Sequence, residues 1–194
     1  MADRTGCALI GVGMVSGTYV AALAGLSDRV VLTGALGARE GSAAAFLKQH
    51  AGMVPADARA YRSVQEIADD RGVGFVILTT PPNARHEIVE VLAQAGKPIL
   101  MEKPVERTLH GAVGICEICE GASVPLGIVL QHRASAPART LRDRLQKPEF
   151  GPLRMAEINV PWWRDQAYYD EPGRGTSARD GGGVLITQAI HSMD

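Results

Sequence analysis

Two side chains far apart in the sequence are well suited to proton chemistry. Lys103 lies in Glu102-Lys103-Pro104, directly after an apolar run, where an amine can donate to a hydroxyl or carbonyl oxygen. His191 follows a glycine triplet at 181–183 in a segment with helical spacing, and a histidine there can act as a general base. Each residue also has an ordinary alternative, a solvated lysine or a core histidine, so neither indicates a function by itself.

A glycine-rich loop near the start of the chain has the features of a phosphate site. Gly11 and Gly13 follow an apolar run and precede a helical pattern, which is the context that dinucleotide-binding loops require. Gly11 permits a tight turn, and Gly13 lets the backbone approach a pyrophosphate at the helix N-terminus. Ser16 occupies the third small position, and Met14 and Val15 complete the loop. We expect these five residues to bind a dinucleotide, with a plain tight turn as the alternative.

The end of the second apolar run bears on the choice between NAD and NADP. NAD sites usually place an acid there, about 20 residues after the glycine loop, to bind the ribose hydroxyls. Gly37 stands at that position, with Arg39 and Glu40 close behind. An arginine without the acid favours a 2′-phosphate, so the sequence slightly favours NADP. In the alternative, Arg39 points to solvent and Glu40 binds the ribose of NAD.

Two further segments, residues 79–86 and residues 102–104, follow apolar runs and are expected at the same edge of a sheet. Ligands bind at the carboxyl ends of the strands in open α/β sheets. The alternative is a strand-to-helix connection in which Asn83 caps the helix. The further residues expected at a cofactor site are Thr79, Thr80, Pro81, Pro82, Asn83, His86, Glu102 and Lys103.

Short apolar runs that alternate with helical patterns would position these residues. Strands are predicted at 8–12, 30–35, 75–79, 98–101 and 124–130. Helices are predicted at 16–26 and 42–50, after the capping box of Ser63 and Glu66, from Asn83 to about 95, and from Thr108 to about 120. This alternation predicts a doubly wound parallel (Rossmann) α/β sheet over residues 1–131. Residues 132–194 are expected to begin a second α/β domain, with a helix at 136–145, a strand at 153–160, a loop at 161–183 and a helix at 184–194.

Composition excludes several functional classes. The 194 residues are 46% hydrophobic with a net charge of −1, which does not indicate disorder or a nucleic-acid surface. No apolar run is long enough for a membrane span, and the first residues do not resemble a signal peptide. Cys116 and Cys119 form a Cys-x-x-Cys pair without further ligands nearby, so we expect ordinary thiols and no metal site. A cytoplasmic location is the default expectation.

Four motifs in order give the chain a family resemblance. They are the glycine loop at 11–17, Thr-Thr-Pro-Pro-Asn-Ala-Arg-His at 79–86, the segment ending in Glu-Lys-Pro at 95–104 and the glycine-triplet segment at 181–194. With these motifs the sequence resembles the Gfo/Idh/MocA oxidoreductases, named for glucose–fructose oxidoreductase and inositol dehydrogenase. The resemblance implies NAD(P)-dependent hydride transfer, with Lys103 and His191 as the catalytic residues. It also implies a homo-oligomer, formed through a second domain of which this chain holds only the beginning.

The resemblance also suggests a substrate class, with one departure. Many family members carry an aspartate four residues before the histidine, whereas this chain has Thr187, so the usual acidic partner is missing. The Gln188-Ala-Ile-His191 version resembles a subgroup that acts on sugars or sugar nucleotides, as does the loop rich in Trp, Tyr and Arg. Loop aromatics that pack on a neighbouring sheet are the alternative. The residues expected to contact substrate are Arg133, Arg164, Tyr168, Thr187, Gln188 and His191, with Arg174 as a second candidate for an anionic group.

These features predict an oxidoreductase that transfers a hydride between a nicotinamide cofactor and a secondary alcohol of a sugar, sugar nucleotide or polyol. Two alternatives stay open. The first is a non-catalytic dinucleotide-binding module, or an inactive fragment of such an enzyme. The second is a structural α/β domain without cofactor affinity.

Overall fold

A six-stranded parallel sheet organises the first part of the chain. The computed structural model describes residues 4–194. The strands are β1 (Thr5–Ile10), β2 (Val30–Leu36), β3 (Arg59–Ala60), β4 (Phe75–Leu78), β5 (Ile99–Glu102) and β6 (Leu126–Val129). Their order in the sheet is β3-β2-β1-β4-β5-β6. The predicted doubly wound α/β sheet is therefore confirmed, and its strand order reverses between β1 and β4, where ligands bind in such folds.

Helices connect the strands and continue beyond the sheet. They are α1 (Ser16–Ala24), α2 (Ser42–Gln49), α3 (Val64–Asp69), α4 (His86–Gln94), α5 (Leu109–Gly121), α6 (Ala136–Leu145) and α7 (Gln166–Tyr169). A π-helical turn (Leu185–Ala189) then runs into α8 (Ile190–Met193). Short 3-10 turns occupy Pro82–Ala84, Gln131–Ala134 and Pro148–Phe150.

The helix caps explain several boundaries. The Ser63 side chain accepts a hydrogen bond from the Glu66 amide at 3.1 Å, and Thr108 accepts one from Gly111 at 3.0 Å, so both predicted caps are confirmed. The predicted cap at Asn83 is wrong, because Pro82–Ala84 forms a 3-10 turn and α4 begins only at His86. Arg85, without a side-chain cap bond, is the N-cap residue there.

The core consists of two hydrophobic layers, one on each face of the sheet. Along β1, Ala8 and Ile10 join the layer under α3, α4 and α5, whereas Cys7 and Leu9 join the layer under α1 and α2. Successive side chains of a strand point to opposite faces, so burial on both faces needs the continuous apolar run that β1 has. This packing fixes the strand ends, and with them the loops at the carboxyl edge.

Residues after β6 differ from the prediction in two places. The strand predicted at 153–160 is wrong, because this stretch is largely exposed and pairs with no strand in the described residues. A strand needs a neighbour to satisfy its backbone groups, and a pattern of alternation does not provide one. The helix at 136–145 and the helical character after residue 184 are confirmed, and the predicted loop at 161–183 contains the short α7.

Three absences concern residues 4–194 only. None of their helices is long and apolar enough to cross a membrane. No group of three or more His, Cys, Asp and Glu side chains among them could hold a metal ion. Cys116 and Cys119 both lie on α5 as free thiols, the first exposed and the second buried.

We predict that Gly11→Ala destabilises the fold whereas Gly13→Ala does not. Gly11 has φ +100°, and a Cβ there would lie 2.8 Å from Thr79 Oγ1 and 2.9 Å from the backbone of Thr79 and Thr80. A Cβ on Gly13 would meet nothing within 4 Å. Strain and overpacking together should lower the free energy of unfolding of Gly11→Ala by about 2–4 kcal/mol.

Urea unfolding of both variants and the wild type measures this difference, and Gly13→Ala should stay within about 1 kcal/mol. Equal midpoints for the two variants would show that Gly11 does not make this close contact in solution.

Candidate functional site

The carboxyl edge of the sheet opens into a cleft of about 1400 Å³. This exceeds the roughly 300–1,000 Å³ of common small-molecule pockets, so there is room for two ligands side by side. Among the residues expected from sequence, those that line it are Gly11, Gly13, Met14, Val15, Arg39, Thr79, Thr80, Pro81, Pro82, Glu102, Lys103, Arg164, Tyr168, Arg174, Thr187, Gln188 and His191. The structure therefore brings most of the predicted site together.

The glycine loop forms one wall of the cleft. Ser16 is fully buried behind the loop, and its hydroxyl donates to the Gly13 carbonyl, so it shapes the loop without lining the cleft. Thr79 Oγ1 donates to the Gly11 carbonyl at 2.8 Å and fixes the loop against the end of β4. The open space in front of Gly13 is where a phosphate could approach the main chain.

The end of β2 contributes a cation and no acid to the cleft. A Cβ on Gly37 would lie 2.1 Å from Ser42 Oγ and 2.8 Å from Val12 Cγ2, so an aspartate does not fit there without rearrangement. Arg39 and Ser42 line the cleft, whereas Glu40 is exposed and is not among the lining residues. Of the two charged residues 39 and 40, only the arginine therefore faces the cleft.

Besides Ser16, two residues expected at the cofactor site do not line the cleft. Asn83 is exposed in the 3-10 turn. His86 is half exposed on α4, and its Nδ1 lies 3.5 Å from Glu90 Oε1. Neither residue lines the cleft, whereas Arg85 between them is buried.

Arg85 is a site residue that the sequence analysis did not single out. Its side chain is only 2% exposed, and it donates to the carbonyl oxygens of Thr80, Glu102, Pro104 and Val105. It therefore joins the loop after β4 to the loop after β5. The sequence signal was an arginine beside Pro-Pro-Asn, but nothing in the sequence indicates that this arginine is buried.

Glu102 is held by protein groups on both carboxylate oxygens. Oε1 accepts from the Tyr19 hydroxyl at 2.8 Å, and Oε2 accepts from the Lys103 amide at 3.0 Å. Burial and the neighbouring Glu102 raise the pKa of Tyr19, so this hydroxyl stays a donor. Glu102 thus connects α1, which follows the glycine loop, to the lysine loop.

Lys103 reaches across the cleft to the last helical segment. Its Nζ donates to the Thr187 carbonyl at 2.8 Å, and the peptide bond to Pro104 is cis. Burial, with added repulsion from Arg85 and Arg174, lowers the pKa of the lysine below its ordinary value, although Glu102 opposes the shift. A buried amine with a lowered pKa exchanges protons more readily near neutral pH.

His191 is buried beside Lys103 on the same side of the cleft. Burial, followed by the charges of Lys103 and His132, lowers the pKa of His191, and Asp194 opposes them. The ring of His132 packs on the His191 ring with 4.8 Å between centroids. The imidazole is consequently neutral at pH 7 and able to accept a proton.

The π-helical turn sets how the last segment faces the cleft. Gln188 is buried, and Thr187 presents its carbonyl to Lys103, while its hydroxyl donates to the Gly183 carbonyl at 2.9 Å. The carbonyl of Thr187 therefore supplies a neutral acceptor to the lysine. Such π-helical turns occur frequently at functional sites.

The loop rich in aromatic and basic residues closes the far side. The Arg174 guanidinium lies 4.8 Å from the centre of the Tyr168 ring, and Arg164 lies 5.5 Å from that ring and 5.8 Å from the Trp162 ring. Arg133 is not in the cleft, because it is exposed and paired with Asp194. Asp180 and Arg179, which the sequence analysis did not select, also line the cleft.

Three buried polar atoms in residues 4–194 have no hydrogen-bond partner. They are Thr80 Oγ1, Arg174 Nε and His191 Nδ1, and all three residues line the same cleft. An unpaired buried polar group lowers protein stability by roughly 1–3 kcal/mol, so such atoms are rare in a well-packed protein core. Their concentration here indicates a site that binds a polar ligand.

Comparisons with known proteins agree with this architecture. A family model described as an oxidoreductase family with a NAD-binding Rossmann fold matches residues 5–129. An oxidoreductase of Schizosaccharomyces pombe is 28% identical over 67% of this chain and 37% of its own length. The NADP(+)-dependent scyllo-inositol 2-dehydrogenase of Bacillus subtilis is 23% identical over 70% of this chain and 39% of its own length.

A solved structure extends the likeness to the rest of the chain. The WlbA dehydrogenase from Chromobacterium violaceum, in complex with NADH and UDP-GlcNAcA, superposes with a TM-score of 0.88 at 27% identity. The match covers 99% of this chain and 54% of that protein. This chain thus spans well under two thirds of the length of the relatives that it matches.

We predict that His191 titrates below pH 6.5 and that His132→Gln raises its pKa. The variant removes the repelling charge of His132 and part of the burial of the His191 ring, so the His191 pKa should rise. NMR titration of the imidazole C–H resonances measures both values, with the half-exposed His86→Gln as control. A His191 pKa at or above 6.5 in the wild type would contradict the described environment.

Proposed function

The chain belongs to the Gfo/Idh/MocA oxidoreductase family, and we propose that it binds a nicotinamide dinucleotide and supplies the catalytic residues of a sugar dehydrogenase. The reaction is the interconversion of a secondary alcohol and a ketone on a sugar, sugar nucleotide or polyol. The three unpartnered polar atoms support this function most directly, because they surround one cleft that also holds Lys103.

Two structural features of this chain are consistent with a dinucleotide bound in the cleft. Gly13 leaves open space at the N-terminus of α1, and Thr80 Oγ1 lacks a partner in residues 4–194. The main chain at 11–16 would hold the pyrophosphate, while Thr80, Pro81 and Pro82 would border the nicotinamide. When bound, the nicotinamide ring supplies a reversible hydride acceptor for a substrate carbon.

Proton movement falls to Lys103 and His191. His191 is neutral because its pKa is lowered, so it can take the proton from a substrate hydroxyl during oxidation and return it during reduction. The Lys103 amine donates a hydrogen bond to the same substrate oxygen and stabilises the negative charge that develops there. The Thr187 carbonyl orients the amine without adding a negative charge.

The far side of the cleft fits a sugar with an anionic group. Rings such as those of Trp162 and Tyr168 suit a sugar face, and Arg164 and Arg174 offer guanidinium groups for a phosphate or carboxylate. Arg174 Nε has no partner among the described residues. The WlbA dehydrogenase that shares this fold was solved with UDP-GlcNAcA, which is consistent with an acidic sugar nucleotide as the substrate class.

NADP is the preferred cofactor in this proposal. An acid at Gly37 would require the side chains of Ser42 and Val12 to move, and Arg39 lines the cleft at the same end. One relative uses NADP(+), whereas WlbA was solved with NADH, so the relatives alone do not decide. Arg39 opposite a 2′-phosphate is the feature that favours NADP.

Three expectations from the sequence belong to the same proposal. Residues 132–194 would begin a substrate domain whose larger part would mediate assembly of a homo-oligomer. A cytoplasmic location stays a prediction. The non-catalytic module remains the second candidate, because Thr187 offers Lys103 a main-chain carbonyl and has no carboxylate.

We predict that the chain binds NADPH more tightly than NADH. Arg39→Gln should remove most of this preference by weakening NADPH about 10- to 100-fold, the range for a hydrogen bond between charged groups. Gly13→Ala should abolish binding of both nucleotides, because its Cβ fills the open space while the fold is retained. Fluorescence titration of each nucleotide measures these affinities.

Glu40→Gln is the matched control, since Glu40 does not line the cleft. If Glu40→Gln rather than Arg39→Gln changed the affinity, NAD would be the cofactor. Absence of binding in a folded wild-type chain would reject the dehydrogenase function for this polypeptide.

We also predict that Lys103→Met and His191→Asn each lower turnover by roughly 10²–10⁴-fold. Both variants should keep nucleotide affinity within a few-fold, because the substitutions impair proton transfer and not nucleotide binding. The assay follows nucleotide reduction with UDP-N-acetylhexuronic acids and polyols, and exposed Lys48→Met is the control. Nucleotide binding without turnover on either class would favour the non-catalytic module.

A further inference from the structure

We propose that Arg85 is the positioning residue for Lys103: its guanidinium binds carbonyl oxygens on both sides of the lysine and so fixes where the amine stands in the cleft. This inference rests on the proposed function, in which Lys103 acts on the substrate oxygen. In this proposal Arg85 does not itself contact the substrate.

The contacts of Arg85 concentrate on the main chain around Lys103. Its Nη1 donates to the carbonyls of Glu102 and Pro104, the residues directly before and after the lysine. A further, longer bond of 3.4 Å reaches the Val105 carbonyl. Because the Glu102–Lys103 peptide and the Pro104–Val105 peptide are both held, the short segment between them, which contains Lys103, has little freedom to move.

The same guanidinium also holds the cofactor side of the cleft. Nε and Nη2 donate to the Thr80 carbonyl at 3.0 and 2.7 Å. Thr80 carries one of the three unpartnered polar atoms in the described residues and borders the expected nicotinamide position. One side chain therefore sets the distance between the loop after β4 and the loop after β5.

Only an arginine can make this set of contacts. Its planar fork offers five N–H donors in fixed directions, whereas a lysine offers three donors at a single point. The Arg85 side chain is almost completely buried, and burial lowers its pKa to about 10, so it is still charged at neutral pH. Glu102 and Glu106 offset part of the cost of burying this charge.

The rest of the lysine is fixed by two other groups. Glu102 Oε2 accepts from the Lys103 amide at 3.0 Å, and the Thr187 carbonyl accepts from Nζ at 2.8 Å. Loss of the Arg85 clamp would free the loop and let the amine leave its buried position. The amine would then be solvated, and its pKa would return towards the ordinary value near 10.4.

The titration of Lys103 separates positioning from a simple charge effect. Arg85→Lys keeps the positive charge but loses the fork, and Arg85→Met loses both. Positioning predicts that both variants raise the Lys103 pKa by at least about half a unit. NMR of the chain with 13C-methylated lysines measures the value, and the Lys103 resonance is the one missing in Lys103→Arg.

Two outcomes would overturn the proposal. If Arg85→Lys kept the wild-type value while Arg85→Met raised it, only the charge of Arg85 would act on Lys103. If neither variant shifted the value, the clamp would not position the lysine at all. Arg142→Lys, an exposed arginine on α6, is the matched control and should leave Lys103 unchanged.

A second measurement covers variants that fold poorly. Arg85→Gly is titrated with millimolar guanidinium, and methylammonium serves as a cation without the fork. Guanidinium alone should restore both the wild-type Lys103 titration and the NADPH affinity, whereas restoration by both cations or by neither would overturn the proposal. The Lys103 titration is measured without nucleotide, so it tests the role of Arg85 by itself. Failure of the wild-type chain to bind NADPH or NADH would instead reject the proposed function.

Discussion

A close main-chain contact between Gly11 and the end of β4 sets the geometry of the cleft. No side chain fits at Gly11, and the Thr79 hydroxyl bonds its carbonyl, so the glycine loop and the loop after β4 approach as closely as backbones can. The contact occurs where the strand order reverses, between β1 and β4. Arg85 then joins the loop after β5 to the same unit. The cleft is therefore built from three loops whose relative positions are fixed by hydrogen bonds to main-chain atoms.

Polar atoms without partners distinguish this cleft from an ordinary groove. The side chains of Glu102 and Ser16 form hydrogen bonds with other protein groups and so hold the loops in place. In contrast, Thr80 Oγ1 and His191 Nδ1 have no hydrogen-bond partner within the described part of the chain. Burial lowers the pKa of both the lysine and the histidine, which brings the lysine pKa closer to neutral pH and keeps the histidine in its neutral form. Polar groups held in place by a hydrogen-bonded frame are suited to orienting a bound ligand, as the proposed hydride transfer needs.

Local sequence patterns predicted most of the fold because the sheet is buried on both faces. Five of the six strands are continuous apolar runs, and the caps at Ser63 and Thr108 are local hydrogen bonds that the sequence displays directly. The two-residue β3 at Arg59–Ala60 was missed because it has no apolar run. The strand predicted at 153–160 failed because pairing depends on a neighbour, which alternation alone cannot supply.

The candidate site was predictable as a set of positions but not as a network. Lys103 and His191 were found from their motifs, and the structure places both in one cleft. The Thr187 carbonyl, the Tyr19 hydroxyl and the burial of Arg85 depend on contacts between residues that are distant in sequence, such as the 83 positions that separate Tyr19 from Glu102. No local pattern encodes such contacts, because they arise only when the layers of the sheet pack.

A crystal structure of the chain with bound NADPH would show directly whether this cleft is the nucleotide site. We expect the pyrophosphate against the main-chain amides at 13–16, the 2′-phosphate beside Arg39, and a partner for Thr80 Oγ1 on the nicotinamide half. A nucleotide bound elsewhere, or one in this cleft that leaves the Thr80 hydroxyl unpaired and Lys103 remote from the nicotinamide, would contradict this expectation.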